Sequence, residues 1–185
     1  MKLTRVFKQN GPAEGSKDVQ MIFDGGDAIA IYHIYRRCWY ACIDVVDCKR
    51  GISKIEFLKT VAEAIHKQEP ELLCMNYLVP LKEGKKLAEA GWMCESIPCY
   101  IKKDTEAVCT FNLPTTFRDK DGNELHIGDK VLFNDCDKGW FEGEVTNIYK
   151  HNGSIRITYE YTPGKTTWRD VAYDPKGNLR IQLKK

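Results

Sequence analysis

Residues able to do chemistry gather in one stretch, Asp44 to Lys54, which reads D-V-V-D-C-K-R-G-I-S-K. Lys49, Arg50 and Lys54 supply cations. Gly51 tolerates close approach to the backbone, and Ile52 and Ser53 stand where a helix start offers unpaired N–H groups. Together these are the parts of an anion site, in which a helix N-terminus and side-chain cations hold a phosphate or pyrophosphate. Asp44 and Asp47 add carboxylates, and a carboxylate acts as a general base when burial raises its pKa. Each feature also has a plainer reading. The turn is then an ordinary helix start, and the two carboxylates are solvated or paired with Arg36, Arg37 or Arg50.

The elements that position this stretch are a strand and a helix. Cys42 to Val46 is apolar and β-branched apart from Asp44, the pattern of a buried strand. Ser53-Lys54-Ile55-Glu56 is the S-x-x-E capping box, with Ile52 and Phe57 spaced as a hydrophobic staple. Ile55, Leu58, Ala62 and Ile65 then fall on one helix face. Before the turn, strands are predicted over 3–7, 19–23 and 28–35. His33 lies inside the last of these and reads as structural. After the helix, Glu69-Pro70 breaks the chain, and Leu72 to Val79 reads as a strand. Lys82 to Ala90 reads as a short helix, with Gly91 as its left-handed C-cap and Trp92 packing back. A last strand pair, bent at Pro98, is predicted over 93–102.

Composition sets the bounds. The chain has 185 residues and a net charge of +2, room for one medium domain or two small ones. Neither half carries the broad positive field of a dedicated duplex-binding protein. Eight cysteines occur without any C-x-x-C pair, mostly among apolar neighbours, so reduced thiols and no bound metal are expected. No apolar run matches a membrane span and no signal-peptide core opens the chain, so a cytoplasmic location is expected, with no membrane partner.

The predicted order β-β-β-α-β-α-β over residues 19 to 103 resembles the GNAT family of N-acetyltransferases. Val45 to Ser53 falls where that family has V-x-x-x-[RQ]-x-x-G-x-[GA]. Asn76 falls at the family's strand Asn, and Leu87-Ala88-Glu89-Ala90-Gly91-Trp92 at its second-helix ending. The resemblance implies an α+β, GNAT-like mixed sheet with two helices and acetyl-CoA as cofactor. Lys49, Arg50, Gly51, Ile52, Ser53 and Lys54 would then hold the cofactor, and Asp44 or Asp47 would be the base. The sequence departs from the family at Cys48 in the [RQ] position, at Ser53 in the last Gly/Ala position, and at Leu87 where a Tyr often stands.

From Phe117 onward helical spacing disappears. Residues 1–104 are therefore expected to form one domain, 105–113 a linker and 114–185 a second, all-β domain. Asp121-Gly122, Asn152-Gly153 and Pro163-Gly164 punctuate short alternating strands. The phrase F-x-D-x-D-G-x-E-L-x-x-G-D-x-V, Phe117 to Val131, followed by W-x-x-G-x-V, resembles the SH3-like or Tudor-like barrels of phage proteins, the YopX type among them. That resemblance implies a binding module using aromatic side chains on one rim, with Trp140, Trp168, Arg169 and Tyr173 as candidates. Two function classes follow. One is a non-catalytic protein- or nucleic-acid-binding protein of the phage accessory or counter-defence type, built on an acetyltransferase-like scaffold and acting in the host cytoplasm. The other is an acetyl-CoA-dependent N-acetyltransferase with the barrel as targeting module. The departures at Cys48, Ser53 and Leu87 favour the first.

Overall fold

A computed structural model describes residues 1–36, 38–97, 106–136 and 138–184. The predicted bend at Pro98 and the segment 98–102 lie outside the described residues, as do Arg37 and Cys99. The chain divides into two units, Met1–Leu113 and Pro114–Lys185.

The first unit is a seven-stranded sheet with two helices. Its elements are β1 (Leu3–Asn10), β2 (Lys17–Phe23), β3 (Ala28–Ile34), β4 (Tyr40–Cys48), α1 (Lys54–Gln68), β5 (Cys74–Pro80), α2 (Leu81–Glu89), β6 (Met93–Ile97) and β7 (Glu106–Asn112). The strand order is β1-β2-β3-β4-β5-β7-β6. β4 and β5 run parallel and every other neighbour pair is antiparallel. A parallel pair needs a crossover, and α1 provides it. Alternation along the strands puts Val19, Met21, Phe23, Ala30, Tyr32, Ala41 and Ile43 on one buried face, where they meet Phe57, Leu58, Val61 and Ile65 of α1. The Phe23 and Phe57 rings pack edge to face, 5.1 Å apart. At the end of α1 the Glu69 carboxylate, 7 % exposed, accepts from Lys8 at 2.8 Å and Lys17 at 3.3 Å, tying the helix end to β1 and β2. α2 approaches β7 closely because Gly84 has no side chain: a Cβ there would lie 2.7 Å from the Ala107 Cβ.

The second unit is a five-stranded antiparallel sheet. It contains β8 (Lys130–Asp135), β9 (Gly139–Tyr149), β10 (Ser154–Thr162), β11 (Lys165–Ala172) and β12 (Ile181–Leu183). The order is β11-β10-β9-β8-β12. Phe117, Leu125, Val131, Phe133, Val145, Ile155, Ile157, Tyr159, Val171 and Ile181 form its buried side. Asp119, fully buried, accepts from the N–H groups of Asp121, Asn123 and Leu183 at 2.8–2.9 Å, so one carboxylate joins the 118–124 turn to β12.

Two expectations are corrected. The α+β, GNAT-like class does not hold: the protein is mostly β, 52 % strand and 16 % helix, with two helices and two sheets. The physical reason lies in the strands. Sheet, not helix, fills most of the first unit, and both helices pack on one side of it. The second unit's outer strands, β11 and β12, are not paired with each other, so the described ladder is an open sheet. The expected linker 105–113 is also corrected. Glu106–Asn112 is a strand in the interior of the sheet, paired to β5 on one side and β6 on the other. Its polar Glu106, Thr110 and Asn112 disguised an alternation that buries Ala107 and Cys109. Among the described residues no helix is long and apolar enough to cross a membrane.

Candidate functional site

The first candidate site is a cleft in the first unit, set by where β4 and β5 part. A register shift between Ile31 and Tyr32 leaves Asp44 as an extra residue in β4. The parallel pairing ends at Ile43 and Tyr77 although both strands continue. Next to that opening lies a cleft of about 500 Å³, lined by Ser53, Lys54 and Ile55 of the α1 start, Pro80 of β5, and Lys82, Glu83, Lys86 and Leu87 of α2.

Ser53 caps α1, its hydroxyl accepting from the Glu56 N–H at 3.4 Å. The reciprocal half of the capping box is not made: the Glu56 carboxylate pairs with Lys59 at 3.0 Å instead. Lys54 reaches across to α2, where its ammonium lies 2.6 Å from Glu83 Oε1 and 5.1 Å from the centre of the Tyr77 ring. Burial alone would lower the Lys54 ammonium, but Glu83 and Tyr77 outweigh it and hold the group above its ordinary value. It therefore stays charged. Lys82 and Lys86 are exposed at the mouth.

Of the cofactor-binding and catalytic candidates taken from the sequence, only Ser53 and Lys54 line this cleft, together with Ile55 of the predicted stripe and Leu87 at the position where a Tyr often stands. Lys49 is tied by its ammonium to Asp27, 2.5 Å away. Arg50 is exposed. Gly51 takes a φ of +98° with nothing within 4 Å of an added Cβ. The Ile52 N–H, expected to face a ligand, donates to the Lys49 carbonyl at 3.2 Å, and the Ile52 side chain packs on the core. Asp44 and Asp47 are exposed on β4. Lys82, Glu83 and Lys86 went unselected in the sequence, although Lys82 and Lys86 share a helix face at i, i+4 spacing.

Two thiols of the first unit are held in the neutral form. Burial, then the neighbouring Cys94, pushes Cys109 up to about 12. Burial, then Cys38, pushes Cys42 up to about 11. The seven described cysteines are unbridged, and no group of acidic, His or Cys side chains among the described residues is arranged to hold a metal ion.

The second candidate site is the solvent face of the second unit. Trp168 on β11 is 53 % exposed. The guanidinium lying on its ring, 3.9 Å from the centre, belongs to Arg156 of β10, which also stacks 5.2 Å from the Tyr149 ring. Arg156 is held by a two-point pair with Asp170, at 2.8 and 2.9 Å. That pairing keeps the Asp170 carboxyl below its usual range. The expected partner Arg169 is corrected. Adjacent strand residues point to opposite faces, and Arg169 turns to Asp135, 3.4 Å away. Tyr173 is half-buried, its ring packed edge to face on Phe117 at 5.1 Å. Trp140 is 50 % exposed, with the Lys120 ammonium 5.9 Å from its ring centre. Glu142, Glu144 and Glu160 line a shallow hollow between these aromatics, beside Lys130, Thr146, Thr158 and Thr166.

Residues 117–176 match the family described as Domain of unknown function (DUF7205). No curated protein and no solved structure matches the chain.

Proposed function

We propose that the protein is a non-catalytic binding protein of the accessory type, acting in the cytoplasm, that holds a protein partner on the solvent face of its second unit. The observation that carries this reading is the Trp168–Arg156–Asp170 stack. A half-exposed indole is covered on one side by a guanidinium that is itself fixed at two points, so little side-chain freedom remains to be lost on binding. Trp and Arg so placed are the residue types that dominate protein–protein contacts. Glu144 is paired with Lys130 and Glu142 with Lys184, so the lysines of this face are already neutralised, which argues against a phosphate backbone as the ligand. A site-specific photo-crosslinker replacing Trp140, in cells, should capture one partner, and Trp168→Ala should lose it while the domain stays folded. Capture that is equal in the two proteins sinks the reading. Binding of random-sequence RNA or DNA with a steep salt dependence would replace it with nucleic-acid recognition.

The cleft in the first unit supports a second reading, an N-acetyltransferase using acetyl-CoA. Favouring it are the α1 start and the cations of Lys54, Lys82 and Lys86 around an apolar floor of Ile55 and Leu87. Calorimetric titration with acetyl-CoA tests it: a phosphate-bearing ligand seated there should bind saturably and lose affinity when Lys82 and Lys86 are changed together to Ala, and an affinity unchanged by that double variant overturns the reading.

A further inference from the structure

The edges of the two sheets differ in how far they are blunted. β1 has a register shift between Leu3 and Arg5 and carries Arg5 and Lys8, two devices that discourage edge pairing. β6 has five residues and β12 three. β11 also has a register shift, between Glu160 and Thr162 at its turn end, and carries Lys165 and Arg169. Beyond that shift its register with β10 runs unbroken from Glu160↔Thr166 to Ser154↔Ala172, and no other described strand pairs with it.

The hydrogen-bond phase of that ladder says which groups face outward. Tyr173 donates its N–H to the Gly153 carbonyl at 2.8 Å, one step beyond Ser154↔Ala172. Residues alternate along an antiparallel ladder, so Thr167, Arg169 and Val171 bond to β10. Thr166, Trp168 and Asp170 turn their N–H and C=O groups to the free edge. The Ala172 carbonyl, which has the same phase, is taken by the Asn178 side chain at 2.7 Å. The edge is thus capped at one end and open over the three residues that include Trp168.

We propose that β11 pairs antiparallel with β11 of a second copy of this chain about a twofold axis at Trp168, joining two five-stranded sheets edge to edge. A twofold axis requires a self-complementary patch, and this strand has one. Thr166 meets Asp170 of the second copy, Trp168 meets Trp168, and Asp170 meets Thr166. All three are residues with outward backbone groups, so each pair exchanges two hydrogen bonds. Between them Thr167 faces Arg169 and Lys165 faces Val171, so no like charges oppose. The two indoles become cross-strand neighbours on the solvent face. The contact is made by the backbone of the edge, and it brings the partner-binding faces of the two copies side by side at Trp168.

A contact of this size is small, and it should dissociate across the range of about 10 μM to about 1 mM. Sedimentation velocity of the full chain over that range should show a monomer–dimer equilibrium. Hydrogen exchange should show the Trp168 and Asp170 amides gaining protection as concentration rises. Thr166→Pro removes an outward N–H from an edge strand, where proline is tolerated. It leaves the Trp168 side chain in place, and it should weaken the dimer at least tenfold with circular dichroism unchanged. If that variant loses its fold, Trp168→Lys, which sets two like charges face to face, should do the same. A chain that stays monomeric throughout overturns the proposal. So does a dimer that a folded Thr166→Pro or Trp168→Lys variant weakens less than tenfold.

Discussion

Replacing Asp119 by Ala tests how the second unit is held together. The Asp119 carboxylate is fully buried, and it takes N–H groups from Asp121 at 2.9 Å, Asn123 at 2.8 Å and Leu183 at 2.9 Å. Alanine leaves three backbone donors without an acceptor. A buried donor left unmade costs about 1–3 kcal/mol. Asp121 is exposed and Asn123 half-buried, so water can reach part of the gap. The expected loss is therefore about 3–5 kcal/mol, a large share of a small domain's stability. For a unit of this size that lowers its Tm by roughly 15–30 °C. Asp119→Asn keeps the shape and one acceptor and should cost about half as much. The pH dependence has a sign. Burial pushes the carboxyl up, but the hydrogen bonds from Leu183, Asn123 and Asp121 outweigh it, so its folded pKa is lowered. A lowered pKa adds stability that is whole above about pH 4 and is lost as pH falls through the folded value. The Asn variant should lack that acid-dependent loss. Hydrogen exchange at increasing urea, read separately on peptides from 114–185 and from 1–113, measures the effect in the full chain. An Ala variant within about 1 kcal/mol of wild type in the 114–185 peptides would refute the reasoning.

Four further outcomes are expected. Gly84→Ala should destabilise the first unit by about 1–3 kcal/mol in urea denaturation, because its Cβ would sit 2.7 Å from the Ala107 Cβ. Gly51→Ala meets nothing within 4 Å and should cost only the left-handed backbone strain, about 1–2 kcal/mol, in the same assay. Tyr159→Phe removes the hydroxyl that donates to buried Asp135 at 2.5 Å and should cost about 1–3 kcal/mol, read by exchange in the second unit's peptides. Glu83→Gln should raise acetyl-CoA or inorganic phosphate affinity a few-fold in calorimetry, whereas Glu56→Gln should change nothing, since Glu56 is already paired with Lys59.

What the sequence revealed was local. The Ser53 cap and most of the apolar stripe of α1 were legible because capping and 3.6-residue spacing act within one helix: Leu58, Ala62 and Ile65 are buried, whereas Ile55 is half-buried and Glu56 turns to Lys59 instead of closing the capping box. The end of α2 was equally legible. Gly91 has a φ of +91°, and the Trp92 N–H returns to the Leu87 carbonyl at 3.0 Å, as a helix terminating in glycine requires. β7 was not legible, because a strand with polar residues at alternate positions is fixed by its neighbours on both sides more than by its own propensity. Trp168 was found, but its cation was not. The eye pairs it with Arg169, its neighbour in sequence, whereas the ladder brings Arg156 beside it from the next strand.

The same limit governs the cleft, and it changes what the turn at Gly51 can do. In the sequence, Lys49, Arg50 and Lys54 appear as three cations around a helix start. In the folded chain Lys49 is spent on Asp27 and Lys54 on Glu83. The Lys54–Glu83 pair spans from the first residue of α1 to α2, so it fixes the width of the cleft and at the same time neutralises the charge nearest the helix N–H groups. An anion entering there must either compete with Glu83 for Lys54 or rely on Lys82 and Lys86 at the mouth. The first route costs part of the link between the two helices, and the second leaves the anion without the cation nearest the helix start. A ligand that used both would have to open the pair. That makes Glu83, a residue with no signature in the sequence, the group that decides whether the α1 start serves as a binding site or as a strut.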